Sequence, residues 1–144
     1  MSQTDSKATS NEKTYTGKCI CGAVRFEARM DLSRGASRCN CTYCTKFGVT
    51  SVGMKPDAFR LVAGAEHLGE FRNEGSPNSR SFCKHCGVQC FGAGDVEEIG
   101  GAFVSVNVNC IDEVDVGQLT IGYWDGRHNN WAAGLRSTPW PVFA

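Results

Sequence analysis

The sequence has no net charge: 15 lysines and arginines stand against 15 acidic residues in 144. A chain without excess cation has no electrostatic footprint for a phosphate backbone, and nucleic acid is not an expected partner. Long apolar runs are missing too. No stretch reaches the roughly 20 residues that a membrane-spanning helix needs. Met1–Lys13 (MSQTDSKATSNEK) lacks the apolar core of a secretory signal and is expected to be a disordered tail ahead of a domain at 14–144. Proline is scarce, with four residues against 17 glycines. No amphipathic helical period of ordinary length emerges, so a turn-rich, mainly β frame is expected.

What the chain has in excess is cysteine, with nine residues. Their number is odd and most lie in CxC or CxxC clusters. Metal binding in a reducing cytoplasm is therefore favoured over a disulfide framework. Seven fall into three groups: Cys19 with Cys21, Cys39 with Cys41 and Cys44, and Cys83 with Cys86. Structural zinc is four-coordinate and closed, whereas a reacting zinc keeps three protein ligands and one open position. The simplest partition places Cys19, Cys21, Cys83 and Cys86 on a structural zinc. It leaves Cys39, Cys41 and Cys44 on a catalytic zinc with a vacant position, two ions in all. A rival partition, which the spacing leaves open, borrows a fourth ligand for the triplet from Cys90, Cys110, His85 or an aspartate.

The local patterns place these groups. Val24, Phe26 and Ala28 alternate with Arg25, Glu27 and Arg29, the period of a half-buried strand. If extended backbone includes Cys19 and Cys21, the two thiols share a face. Thr42–Lys46 is read as one helical turn that brings Cys44 back towards Cys39. Val49–Met54 is read as a strand, Phe59–Val62 with Glu66–Arg72 as a hairpin, and Asn73–Ser79 as a loop. Cys83-Lys84-His85-Cys86-Gly87 is a zinc-knuckle turn. Gly100–Cys110 reads as a strand with Val104, Val106, Val108 and Cys110 on one face. Cys90 and Cys110 are expected to be inert core thiols. His67, His85 and His128 have no spacing that singles them out. Trp124, Trp131 and Trp140 are assigned to packing.

Three thiolates leave zinc with a formal charge of about −1, which suits it poorly to making hydroxide. It can still take a fourth sulfur, and a coordinating thiol is deprotonated outright. The matching chemistry is addition of a thiol to a small electrophile, or the reverse.

The order Gly17-x-Cys19-x-Cys21-Gly22-x-Val24, Cys39-x-Cys41-x-x-Cys44 and Phe82-Cys83-x-x-Cys86-Gly87 resembles the glutathione-dependent formaldehyde-activating enzyme family, which includes centromere protein V relatives. Val106-Asn107-Val108-x-Cys110-Ile111-Asp112 and Asp125-Gly126-Arg127 fit the same family text. Asn40 stands where the family often has His, and Thr42 where Ser is common. The resemblance implies several coiled β-sheets in a tent-like, zinc-stapled single domain. It implies the same two zinc sites, structural on Cys19, Cys21, Cys83 and Cys86, and catalytic on Cys39, Cys41 and Cys44. It also implies a carbon–sulfur lyase resembling S-(hydroxymethyl)glutathione synthase, whose partners are glutathione and formaldehyde; the cytoplasmic location is expected from the cysteine usage. Arg25, Lys46, Arg72 and Arg80 are candidate clamps for glutathione carboxylates. The alternative from a different class is a non-catalytic, zinc-stabilised binding module or glutathione carrier.

Overall fold

A computed structural model describes residues 11–143. In chain order the strands are β1 (Lys13–Lys18), β2 (Arg25–Met30), β3 (Ala36–Cys39), β4 (Ser51–Met54) and β5 (Phe59–Ala63). They continue as β6 (Leu68–Arg72), β7 (Ser79–Cys83), β8 (Gln89–Val96), β9 (Gly101–Asn107) and β10 (Ile121–Trp124). One short α-helix, α1 (Thr42–Phe47), follows β3. Two sheets result. The smaller has the order β1-β2-β5, and the larger has the order β10-β3-β4-β9-β8-β7-β6. All pairings are antiparallel except β10 beside β3. The mainly β, single-domain fold is the one expected.

The period of two explains how the sheets meet. On β2, Phe26, Ala28 and Met30 are buried while Arg25 and Arg29 face solvent. Phe26 packs on Phe59 of its own sheet at 5.6 Å between ring centres, and on Phe91 of β8 at 6.5 Å. Val106, paired with Val52 and Phe91, continues this apolar face of the large sheet. Full burial of such side chains contributes about 1.5–3 kcal/mol each. Alternation sends the next row the other way: Arg80, Gly92, Ser105 and Gly53 lie side by side across four strands. Small side chains on that face leave room above the sheet.

Several local expectations shift. Cys19–Gly22 is a turn rather than extended chain, because it joins β1 to β2. β5 and β6 are not a hairpin: β5 pairs with β2, and β6 pairs with β7, so the chain crosses between sheets here. Gly64 makes the crossing at φ +95°, where a Cβ would collide with the Ala23 carbonyl oxygen. β9 stops at Asn107, whose side chain accepts from the Asn109 N–H at 3.1 Å and turns Val108–Cys110 into a 3-10 turn. Val108 and Cys110 stay buried all the same. Of the expected tail, residues 1–10 lie outside the described residues, and Lys13 is already paired with Met30. Among the described residues no helix is long and apolar enough to cross a membrane.

Candidate metal centre and substrate cleft

Two turns from different sheets bring four sulfurs together. The β1–β2 turn is closed by Cys19 N–H on Val24 O at 3.1 Å and Gly22 N–H on Cys19 O at 3.2 Å. The β7–β8 turn is closed by Gly87 N–H on Cys83 O at 2.8 Å, with Gly87 at φ +80°. The sulfurs of Cys19, Cys21, Cys83 and Cys86 all lie within 4.8 Å of one another. Cys19–Cys21 is 3.6 Å and Cys21–Cys83 is 3.7 Å. A zinc tetrahedron with arms of about 2.3 Å has edges of about 3.8 Å, so this donor set fits a closed tetrathiolate. Backbone N–H groups already face the sulfurs: Val24 on Cys19 and His85 on Cys83, both at 3.4 Å. The N–H groups of Cys21 and Val88 hold the Cys86 thiol down to about 6, in the direction a metal ligand needs.

The triplet is built within one segment. Cys39 ends β3, and Cys41 caps α1 with its sulfur accepting from Cys44 N–H at 3.2 Å. One helical turn then returns Cys44, and Gly48 at φ +69° ends the helix. The three sulfurs lie within 4.8 Å of one another, and among the described residues no fourth Cys, His or carboxylate joins them. Hydrogen bonds from Cys39 and Cys44 hold the Cys41 thiol well below its ordinary range, aided by the charge on Arg80. Cys39 is correspondingly pushed up. Cys44 is pushed up as well: its hydrogen bond with Cys39 lowers it, but Cys41 and burial outweigh that, so the arrangement favours a single thiolate at Cys41 with its two neighbours as donors.

The rival fourth ligands are elsewhere. Cys90 and Cys110 are buried, each with its thiol directed at a backbone carbonyl of the β8 entry, Val88 and Gln89 respectively. His85 faces solvent and its Nε2 lies 2.9 Å from Nδ1 of His67. His128 contacts Asp125 at 2.7 Å.

All three triplet cysteines line a cleft of about 880 Å³, with Arg80, Trp124 and Trp131 among its other walls. Of the four candidate clamps, Arg80 alone lines it. An Arg80 Nη2 donates to Cys44 Sγ at 3.3 Å, and its guanidinium stacks 4.8 Å from the Phe47 ring centre. Arg25 instead bonds Gly22 O, and Arg72 pairs with Glu70. The tryptophans are partly exposed rather than core, and Trp124 meets Trp131 at 5.8 Å beside the triplet.

The supporting groups were harder to find from spacing. Asn40 is buried at 8% exposure, and its Nδ2 donates to Asp125 Oδ1 at 2.8 Å and Pro141 O at 3.0 Å. Its Oδ1 accepts from Arg127 N–H at 2.9 Å, and its carbonyl accepts from Arg127 Nε at 2.9 Å. Burial pushes the Asp125 carboxyl up, but hydrogen bonds from Asn40, His128 and Asn130 outweigh it and hold it below its usual range. Gly126 packs so closely on the triplet that a Cβ there would stand 2.5 Å from Cys39 Sγ. The only sequence signals for these groups were Asn in the place of His and the Asp-Gly-Arg string.

Residues 14–125 match the sequence profile of a family described as glutathione-dependent formaldehyde-activating enzyme. A Halomonas elongata protein with the provisional name glutathione-dependent formaldehyde-activating enzyme is 37% identical over 78 residues, 49% of this chain. The chain spans 50% of the length of that curated relative. A crystal structure of a Rhodobacter sphaeroides protein superposes with a TM-score of 0.63 at 25% identity, covering 74% of this chain and 98% of that one.

Proposed function

The chain belongs to the glutathione-dependent formaldehyde-activating enzyme family, and on that premise we propose that it is a zinc-dependent carbon–sulfur lyase joining the thiol of glutathione to formaldehyde. The product is the S-hydroxymethyl adduct. The observation that carries the reading is the unequal division of sulfur: four close on one another, while three stand together along a cleft without a fourth ligand among the described residues.

In this reading Cys19, Cys21, Cys83 and Cys86 hold a structural zinc, and Cys39, Cys41 and Cys44 hold the reactive one. Zinc bound at the triplet would supply a position at which an incoming thiol loses its proton at neutral pH. The protein does the rest. Arg80 sets a fixed positive charge against Cys44 Sγ, offsetting the anionic charge that gathers as a further sulfur arrives. Trp124 and Trp131 wall the cleft beside Cys39 with apolar surface and limit water there. Asn40 ties the Cys39–Cys44 segment to the Asp125–Arg127 loop and keeps the three sulfurs converged. The S–C bond forms as the carbonyl π bond breaks, and the proton lost by sulfur finishes on oxygen, with no redox change.

The test is Cys44→Ser in the full chain. We expect loss of the catalysed excess in adduct formation, measured near equilibrium against the spontaneous background, with the fold and one tightly held zinc retained. Full activity in that variant would overturn the assignment. Zinc–sulfur coordination of four at both sites in thiol-free protein would favour the non-catalytic module instead.

A further inference from the structure

The two ends of the large sheet differ. At the β10 end, Tyr123 bridges to Arg136. At the other end, β6 has a described neighbour on one side only, β7. His67 O accepts from Lys84 N–H at 2.8 Å, and Asn73 N–H donates to Asn78 O at 2.9 Å, which sets the phase of the β6–β7 ladder. Residues of an antiparallel ladder bond inwards and outwards in alternation. Gly69 and Phe71 therefore bond to β7, and the N–H and C=O groups of Glu70 and Arg72 face outwards. No described residue takes these groups up. An edge of this kind is a template for another strand.

The side chains on it are exposed. Glu70 and Arg72 share one face, with Arg72 Nη2 3.1 Å from Glu70 Oε1. Phe71 lies on the other face, 41% exposed, and its ring stands 5.8 Å from that of Phe47 on α1. Phe47 is itself 40% exposed. An aromatic pair thus flanks the open ladder.

The charges on the edge select its partner. The edges of the small sheet carry one sign only: Lys13 and Lys18 on β1, and Arg60 on β5. Such strands offer a copy of themselves no opposite charge, which blunts them. β6 carries both signs, two residues apart. Antiparallel pairing with a second copy must match outward-bonding residues with outward-bonding residues. The central registers that do so are centred on Glu70, on Phe71 or on Arg72. Centring on Glu70 or on Arg72 sets two like charges face to face, which is unfavourable. Centring on Phe71 sets Glu70 against Arg72 of the second copy, and Arg72 against its Glu70. The four charges then alternate in sign, and the two Phe71 side chains adjoin on the axis. Two-fold symmetry makes each of these contacts twice.

We propose that β6 is the docking edge for a second copy of this chain, paired antiparallel about Phe71 so that one sheet runs through both subunits. The seam then passes α1, the helix that carries Cys44, in each copy. The proposal stands apart from the thiol chemistry above.

Sedimentation equilibrium of the zinc-loaded full chain, over a series of protein concentrations, tests it. Wild type forms a dimer that salt weakens. Glu70→Arg and Arg72→Glu each turn two attractive pairs into two repulsive ones, and each weakens the dimer roughly 10-fold. Combining the two substitutions exchanges the signs, restores the pairs and returns the affinity to within about 3-fold of wild type. Phe71→Glu sets two carboxylates together on the axis and separates the copies. These positions are exposed, and far-ultraviolet circular dichroism verifies that each variant keeps its fold. Should either charge reversal unfold the chain, Phe71→Glu decides. Wild type that stays monomeric, a dimer that these substitutions leave intact, or a combined variant no tighter than the single ones would each overturn the proposal.

Discussion

Adding one carbon at Gly126 puts the triplet under direct test. In Gly126→Ala the new Cβ would stand 2.5 Å from Cys39 Sγ and 2.8 Å from the Trp131 ring. Non-bonded heavy atoms settle at about 3.5–4.0 Å, so the overlap is about 1 Å. Either the loop or the sulfur must retreat. The loop is pinned: Arg127 bonds Asn40 twice at 2.9 Å, and Asn130 N–H bonds Asp125 O at 3.0 Å. The backbone of Cys39 is held too, opposite Trp124 in the β3–β10 pairing, so its side chain is what yields. Metal–ligand distances tolerate only about 0.2 Å, so a shift near 1 Å removes Cys39 as a ligand. Disturbing a mere supporting group costs about 10- to 100-fold in metal affinity, which makes about 100-fold a floor here. The assay is zinc content after dialysis against a graded chelator, with the four-sulfur site as an internal standard of one equivalent. Two zincs held as tightly as in wild type would refute the assignment of Cys39.

Three other outcomes follow from the same structure. A mild chelator should remove one zinc of two with no change in far-ultraviolet circular dichroism, whereas stripping the second should unfold the chain, because structural zinc contributes about 10–16 kcal/mol to small domains. Asp125 has a lowered carboxyl pKa in the fold, so its contribution is fully present above the unfolded value near 4 and is lost as pH falls through the folded one. In melting curves between pH 2.5 and 6, Asp125→Asn should therefore fall below wild type at the upper end and converge with it at the acid end. Gly64→Ala combines a positive φ with a collision against Ala23, and should cost about 2–3 kcal/mol in chemical denaturation.

The sequence was readable where structure is local. Val24, Phe26 and Ala28 gave their strand because alternation is a property of the backbone itself. The Cys41–Cys44 helical turn and the Cys83–Gly87 knuckle were readable for the same reason. What escaped is set by distant partners. Phe59–Arg72 looks like a hairpin in isolation, and only the competing edges of β2 and β7 pull its two halves into different sheets. The Gly100–Cys110 alternation continues in the letters after the strand has ended, because the Asn107 side chain turns the backbone there. The contact of Arg80 with Cys44 joins positions 36 apart, and that of Asn40 with Asp125 joins positions 85 apart. Arg80 was one of four candidate clamps with nothing to set it apart from Arg25, Lys46 and Arg72, and Gly126 was only the middle of an Asp-Gly-Arg string. Their importance lies in what faces them.

The two sulfur groups also differ in when they can exist. The triplet is complete within Cys39–Cys44, a span that leaves the ribosome long before the sheets can pair. The four-sulfur group needs Cys21 to meet Cys83 across 62 positions. Closing a loop of that length rather than three residues costs about 3 kcal/mol more in chain entropy. A nascent chain can therefore gather its three-sulfur group before it owns a fold, while the four-sulfur group appears only with the finished topology. In refolding from the metal-free state, zinc capture by the triplet should run ahead of the appearance of native tryptophan fluorescence, with capture by the second site coinciding with it.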